Sequence, residues 1–199
     1  RPFDRARDGF VMSEGAAVLV VEELQHALRR GATIWGEILG YALTNDAHHM
    51  TAPHPRGDPA ARAMAMALRE AQVEPDGIDY INAHGSSTQL NDKTETRAIK
   101  QVFGERAYDL PVSSTKPLHG HAFAATGAME VAICCLAFQH QYLPPTINYV
   151  TPDPECDLNY LPNQGLHARV DHILKNSFGF GGINATLVLK RYRPEHEPV

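Results

Sequence analysis

Residues 122–138 form a run of 17 residues whose only charge is Glu130. Such a run must be covered by something. A membrane span needs about 20 apolar residues, so the run predicts a helix inside a folded protein, apolar nearly all round and therefore central. Glu130 narrows the prediction. An unpaired buried carboxylate is costly, so Glu130 requires a cation or donor partner, and Lys116 is one candidate. Pro144-Pro145 breaks the helix.

The rest of the chain alternates strand and helix signals. Val18–Val21 is a short apolar run bounded by Gly15 and Glu22-Glu23, and reads as a buried strand. Residues 22–30 read as a helix stopped by Gly31, and 34–43 as a long strand. After a polar loop with His48, His49 and His54, a helix is predicted with Asp58 as N-cap and Pro59 at its first position. Its apolar face is Ala60, Ala63, Met64, Ala67, Leu68 and Ala71. Further strands are predicted at 78–83, 111–114, 173–177 and 185–190, and a further helix at 94–103 with Ala98, Ile99 and Val102 inward. Residues 146–164 read as a long connection, and the tail from Pro194 as charged and frayed. Alternation of this kind is the signature of an α/β fold.

Composition excludes several classes. The net charge of −5 and pI near 6.1 lack the basic footprint of a nucleic-acid binder. An odd count of 3 cysteines argues against a disulfide framework and for a reducing cytoplasm. The N-terminus has no apolar signal region, and no membrane association is expected. The opening Arg1-Pro2-Phe3-Asp4 has no initiator Met and reads as a piece of something larger.

In open α/β sheets chemistry sits beyond the carboxyl ends of strands. Three loops meet that condition: His84–Thr88, Lys116–His121 and Asn176–Gly182. A His beside Gly at a strand end brings a donor or base close to a ligand, though a hydrogen-bonded loop His is the plainer reading. Phe178–Gly182 is not a phosphate loop, because no Lys-Ser or Lys-Thr pair follows and a strand comes next. It reads either as a mobile aromatic gate or as a tight turn with two core aromatics. His119 and His121, or His48 and His49, form no recognised metal-ligand spacing, so no metal is expected. A non-enzymatic metal-binding module built on the histidines is the alternative that such spacing would have to support. Cys156 lies among Asp153, Glu155 and Asp157, a setting that raises a thiol pKa.

Taken together and in order, Asn82-Ala-His84-Gly-Ser-Ser-Thr88, Ser114-Thr-Lys116 with Gly120-His121, and Asn176-Ser-Phe-Gly-Phe-Gly-Gly182-Ile-Asn184 are specific. With them the chain resembles the C-terminal half of the β-ketoacyl-acyl carrier protein synthases, or ketosynthases. Arg1–Asp4, Asp8–Phe10 and Glu14-Gly15 resemble the stretch that closes their N-terminal half. The resemblance implies a thiolase-like layered αβαβα fold. It divides the chain into residues 1–31 from the N-terminal half, 32–193 as the C-terminal half, and 194–199 as tail. It implies decarboxylative Claisen condensation of malonyl-acyl carrier protein with an acyl-enzyme thioester, in fatty acid or polyketide biosynthesis. His84 and His121 fall on the family's catalytic histidines, Lys116 and Glu130 on its lysine and carboxylate, and Phe180 on the gating phenylalanine, with Phe178 beside it. Ser86 and Thr88 match hydroxyls that hold the pantetheine arm. Implied partners are an acyl carrier protein, an N-terminal half and a second subunit in a homodimer or heterodimer, with no cofactor. Ile183, Pro117 and His119 depart from the family pattern. None of Cys134, Cys135 and Cys156 matches the nucleophile, which the resemblance puts in the N-terminal half; this fragment alone is therefore expected to be inactive. The alternative is a non-catalytic partner subunit of the chain-length-factor type.

Overall fold

The computed structural model describes residues 1–194; the predicted frayed tail falls mostly outside them. A five-stranded sheet runs in the order β1 (Glu37–Asn45), β7 (Ile183–Lys190), β6 (His172–Gly179), β2 (Tyr80–Asn82), β3 (Val112–Ser113). β1, β7 and β6 pair antiparallel, while β6, β2 and β3 pair parallel. A short ribbon of β4 (Tyr142–Leu143) and β5 (Leu166–His167) stands apart.

Strand alternation feeds two cores. Ala42, Ile81, Leu174 and Val188 point to the face covered by α2 (Asp58–Ala71) and α3 (Asn91–Phe103). Their neighbours Tyr80, Ile173 and Leu189 point to the other face and meet Val131, Cys134, Ala137 and Phe138 of α5 (Thr126–His140). The sheet is thus clad by helices on both faces, three layers in all. The α2 face carries the predicted residues, except that Ala71 is only partly buried.

Several expectations need correction. Val18–Val21 is not a strand: no strand among the described residues runs alongside it, and Val18 is 92% exposed. The helix that follows, α1 (Leu24–Arg29), is capped by the Glu23 carboxylate, which accepts from Gln25 N and His26 N. The N-cap of α2 is Gly57, held in the left-handed region at φ 75°, and Asp58 sits inside the first turn. α3 begins at Asn91 rather than Thr94, because Asp92 and Glu95 are tied into the fold. Strands β6 and β7 extend further into the Gly-rich motif than predicted and close it as a hairpin.

The apolar run divides into a 3₁₀ turn (Phe123–Ala125) and α5, which ends at His140 with Gln141 in the left-handed region, ahead of the prolines. By length and composition alone, Phe123–His140 would suffice to cross a membrane. In the fold it lies against the sheet, and only one face is buried within this chain, at Thr126, Glu130, Val131, Cys134, Ala137 and Phe138. Leu136, on the other face, is 48% exposed. The helix is therefore not central here.

Residues 1–13 lace across the sheet's carboxyl edge. Phe3 stacks on Tyr160 at 3.8 Å between ring centroids. The buried Arg7 guanidinium donates to the carbonyls of Asp4, Thr88 and Gln89 and pairs with Asp153. The Asp4 carboxylate accepts from Val150 N and Thr151 N, both at 2.6 Å.

β1 and α2 touch at Gly40, near a register shift in β1. A Cβ there would lie 2.6 Å from both the Ala67 carbonyl oxygen and the Ala71 nitrogen. These are backbone atoms, which cannot rotate away. Gly40→Val is expected to cost about 1–3 kcal/mol, read as a lower urea midpoint; an unchanged midpoint would show that β1 can slide off α2.

Candidate active site

β2 ends at Asn82, and the chain turns through Ala83 into His84-Gly85. The turn is tight. Gly85 has φ 42°, and a Cβ on it would lie 2.4 Å from the Ser114 Cβ; no other residue fits. Glu95, buried on α3, clamps the turn: Oε1 accepts from His84 N and Oε2 from Gly85 N, each at 2.8 Å. The Ser114 hydroxyl donates to the Gly85 carbonyl at 2.7 Å.

β3 leads into α4 (Lys116–His119), and Gly120 then turns the chain to His121. The N-terminal segment holds His121 by its backbone: His121 N donates to Val11 O at 2.8 Å, and Ser13 N donates to His121 O at 3.1 Å. The two imidazoles meet, with ring centroids 5.5 Å apart, and both are at least nine-tenths buried. Phe10 and Phe123 pack on His121, and Phe178 lies 5.7 Å from His84.

The hydrogen bonds assign the His121 tautomer. Phe123 N donates to Nδ1 at 3.1 Å, and the Thr126 hydroxyl lies 3.2 Å from the same atom. The neutral ring therefore carries its proton on Nε2. Burial, with Lys116 and Lys175 nearby, pulls the His121 pKa down to about 4. Burial, Lys116, Lys175 and His121 hold His84 well below the ordinary imidazole value. Both rings are thus neutral near pH 7 and available as N–H donors.

Behind the pair lies a buried ion triad. Lys116 Nζ sits 2.7 Å from Glu130 Oε1 and donates to the His84 carbonyl. Lys175 Nζ sits 2.5 Å from Glu130 Oε2 and donates to the Asn176 carbonyl and, at 2.8 Å, to the Ser177 hydroxyl. The contact with Oε2 is an ion pair rather than a directed hydrogen bond, and no other donor among the described residues reaches that oxygen. Burial pushes the Glu130 carboxyl up, but the two lysines more than offset it and hold its pKa below the usual value.

The predicted residues converge in part. His84, His121, Lys116, Glu130 and Phe178 form one cluster. Ser86 and Thr88 pair through their hydroxyls at 3.0 Å on the same loop. Phe180 stands at the hairpin tip, 63% exposed, while Phe178 packs on the core; the two aromatics of the Gly-rich motif have different settings. Cys156 is buried in the core and its thiol is pushed up to about 12, chiefly by burial rather than by the acidic neighbours the sequence suggested. Cys134 is buried and Cys135 half-buried. No group of three or more metal-ligating side chains occurs among the described residues.

Lys175 and Glu95 escaped the sequence reading. Glu95 shares a helical face with Ala98 and Ile99, three and four residues on, and Lys175 interrupts an apolar strand; both were available signals.

Residues 35–150 match the model for the beta-ketoacyl synthase C-terminal domain, and residues 1–27 match that for the N-terminal domain. The chain is 54% identical over 193 residues to the 3-oxoacyl-[acyl-carrier-protein] synthase 2 of Synechocystis sp., covering 97% of this chain and 46% of that protein. It is 51% identical over 191 residues to that of Coxiella burnetii, covering 96% and 46%. The ketosynthase of a type II polyketide synthase, solved with its acyl-carrier protein, superposes with TM-score 0.94 at 48% identity, covering 96% of this chain and 47% of that one. A β-ketoacyl synthase of Burkholderia phymatum superposes with TM-score 0.91 at 42% identity, covering 97% and 46%. The chain spans about half the length of the curated relatives it matches. Its fold is that of the thiolase-like ketosynthases, and the chain belongs to the β-ketoacyl synthase family.

Proposed function

We propose that this chain supplies the decarboxylation side of a 3-oxoacyl-carrier-protein synthase. The nucleophilic Cys is supplied by the N-terminal part of the family's architecture, outside this chain. The observation that carries the reading is the buried, neutral pair His84 and His121, with the Nε2 proton of His121 free for a ligand.

In the first step the bond between C2 of the malonyl thioester and its carboxylate breaks, releasing CO2. The electron pair moves through C2 onto the thioester oxygen. His84 and His121 donate hydrogen bonds to that oxygen as its charge grows, in a site largely closed to water. In the second step C2 attacks the carbonyl carbon of the acyl–S–Cys thioester. The new carbon–carbon bond forms, the carbon–sulfur bond breaks, and the thiolate leaves. The product is a 3-oxoacyl-carrier protein. Lys116 positions His84 through its backbone carbonyl, and Glu130 fixes Lys116.

Ser86 and Thr88, on the His84 loop, hold the pantetheine arm of the carrier protein. Phe180, exposed at the hairpin tip, gates the acyl passage. The rest of the N-terminal half seats on the exposed apolar groove of about 760 Å³ formed by Val18–Val21, Trp35, Ile38 and the outer face of α5, and a second subunit completes a dimer. The three free cysteines suit a reducing cytoplasm. Both histidines and the lysine favour the enzyme over a non-catalytic partner subunit, which has no use for them.

Condensation is measured on the complete protein with acyl- and malonyl-carrier proteins, following CO2 release. His84→Ala and His121→Ala are each expected to slow decarboxylation by about 10²–10³-fold. Unchanged CO2 release in both variants would refute the assignment. The pH dependence follows from the neutral pair. Protonation of His121 places a proton on Nδ1, opposite the Phe123 N–H that this nitrogen accepts from, which turns the ring out of its donor position and adds repulsion with the lysines. The rate should therefore hold as pH falls through the ordinary imidazole range, and be lost only toward the His121 value near 4. An acid limb centred near 6.5, the unperturbed imidazole value, would overturn the reading that the surroundings hold this pair neutral.

A further inference from the structure

Lys175 is a second buried ammonium in a site where one already neutralises Glu130. It lies on β6, 2% exposed, between Leu174 and Asn176. Placing an ammonium there is expensive unless the fold uses it. Lys116 alone would satisfy Glu130 Oε1 and leave the pair neutral. With Lys175 added, two ammonium groups face one carboxylate.

We propose, resting on the condensing function above, that Lys175 is a positioning residue: its ammonium anchors the second oxygen of Glu130 and leaves the triad with one excess positive charge behind the His84–His121 pair. The geometry has two consequences. First, Glu130 is gripped at both oxygens from opposite elements, Lys116 on α4 and Lys175 on β6, so the carboxylate cannot rotate. Lys116, and through it the His84 carbonyl, is thereby fixed. Second, the excess charge favours the negative charge that grows on the enolate oxygen, and it opposes protonation of the imidazoles. Burial and Lys116 act on His84 and His121 in the same direction as Lys175. The other ionisable groups around the triad are Cys134 on α5, Tyr80 on β2, Glu95 on α3 and His119 on α4. Burial raises the Cys134 thiol, the Tyr80 hydroxyl and the Glu95 carboxyl, so Glu130 is the acid of this group whose negative charge is favoured.

The test compares wild type, Lys175→Met and Lys175→Ala in the complete protein, measuring CO2 release from malonyl-carrier protein across pH, with thermal melting in parallel. Lys175→Met fills the space without charge. It is expected to lower kcat by roughly ten- to a hundredfold and to move the acid limb of the profile to higher pH, because the imidazoles then protonate more easily. Lys175→Ala opens a hole lined by Glu130 Oε2, the Asn176 carbonyl and the Ser177 hydroxyl. Added methylammonium, compared with sodium chloride at equal ionic strength, is expected to restore activity to the Ala variant and not to the Met variant. Two results would overturn the proposal. One is full activity with an unmoved acid limb in both variants. The other is a lower melting temperature with kcat reduced equally at every pH and no methylammonium effect, which marks a merely structural lysine. Inactive wild type would instead refute the proposed function and is read separately.

Discussion

The buried carboxylate of Glu130 is the constraint to which the site is built. A carboxylate removed from water without partners is untenable in a folded protein, so wherever α5 goes, cations must follow. They come from two directions, Lys116 from the loop beyond β3 and Lys175 from β6. Satisfying one acid therefore fixes α5, α4 and β6 relative to each other. It also fixes the end of β2, because Lys116 reaches the His84 carbonyl. A purely apolar contact would set distance but not orientation. The ionic one specifies which atom faces which.

A second acid performs the corresponding task on the opposite side of the sheet. Glu95 receives the two backbone N–H groups at His84 and Gly85, and Asp92 receives those at Ser87 and Phe3. Backbone at a strand end has no ladder partner, so side-chain carboxylates from α3 take that role. Burial raises both pKa values, that of Asp92 to about 6. His84 is thus held through its own backbone from both faces of the sheet, by Lys116 on one and Glu95 on the other, while its ring remains free for a ligand.

The parts of this arrangement that follow from local rules were readable in the sequence. Three loops past strand ends, a lone acid in an apolar helix and its need for a cation or donor, with Lys116 as one candidate, follow from period and burial cost. What was not readable depends on packing between distant elements. Lys175 pairs with Glu130 across 45 positions, and only their matching intrusion into apolar segments hints at it. Val18–Val21 looked like a strand because apolar, β-branched residues favour one, but a strand exists only where another offers hydrogen bonds. The same lack of partners explains α5. A helix apolar all round was expected to be central, yet the described residues cover one face only. In both cases the sequence reports an apolar surface correctly and cannot say which chain covers it.

Strand β6 links the two sides of the site. Its alternation sends Leu174, Asn176 and Phe178 toward α2 and α3, where Asn176 donates to Glu95 and Phe178 meets His84. It sends Ile173, Lys175 and Ser177 toward α5, where Lys175 meets Glu130. A single strand therefore carries the charge that steadies the triad on one face and the aromatic that borders the imidazoles on the other. A slip of one residue would exchange the two sets entirely. The register is pinned on both flanks, by parallel pairing to β2 over Tyr80–Asn82 and by the continuous antiparallel hairpin to β7. That double pinning allows the hairpin tip to project Phe180 outward while Phe178, two residues earlier, stays in place. The apparent redundancy of two phenylalanines in one Gly-rich motif is resolved by the point at which the ladder stops.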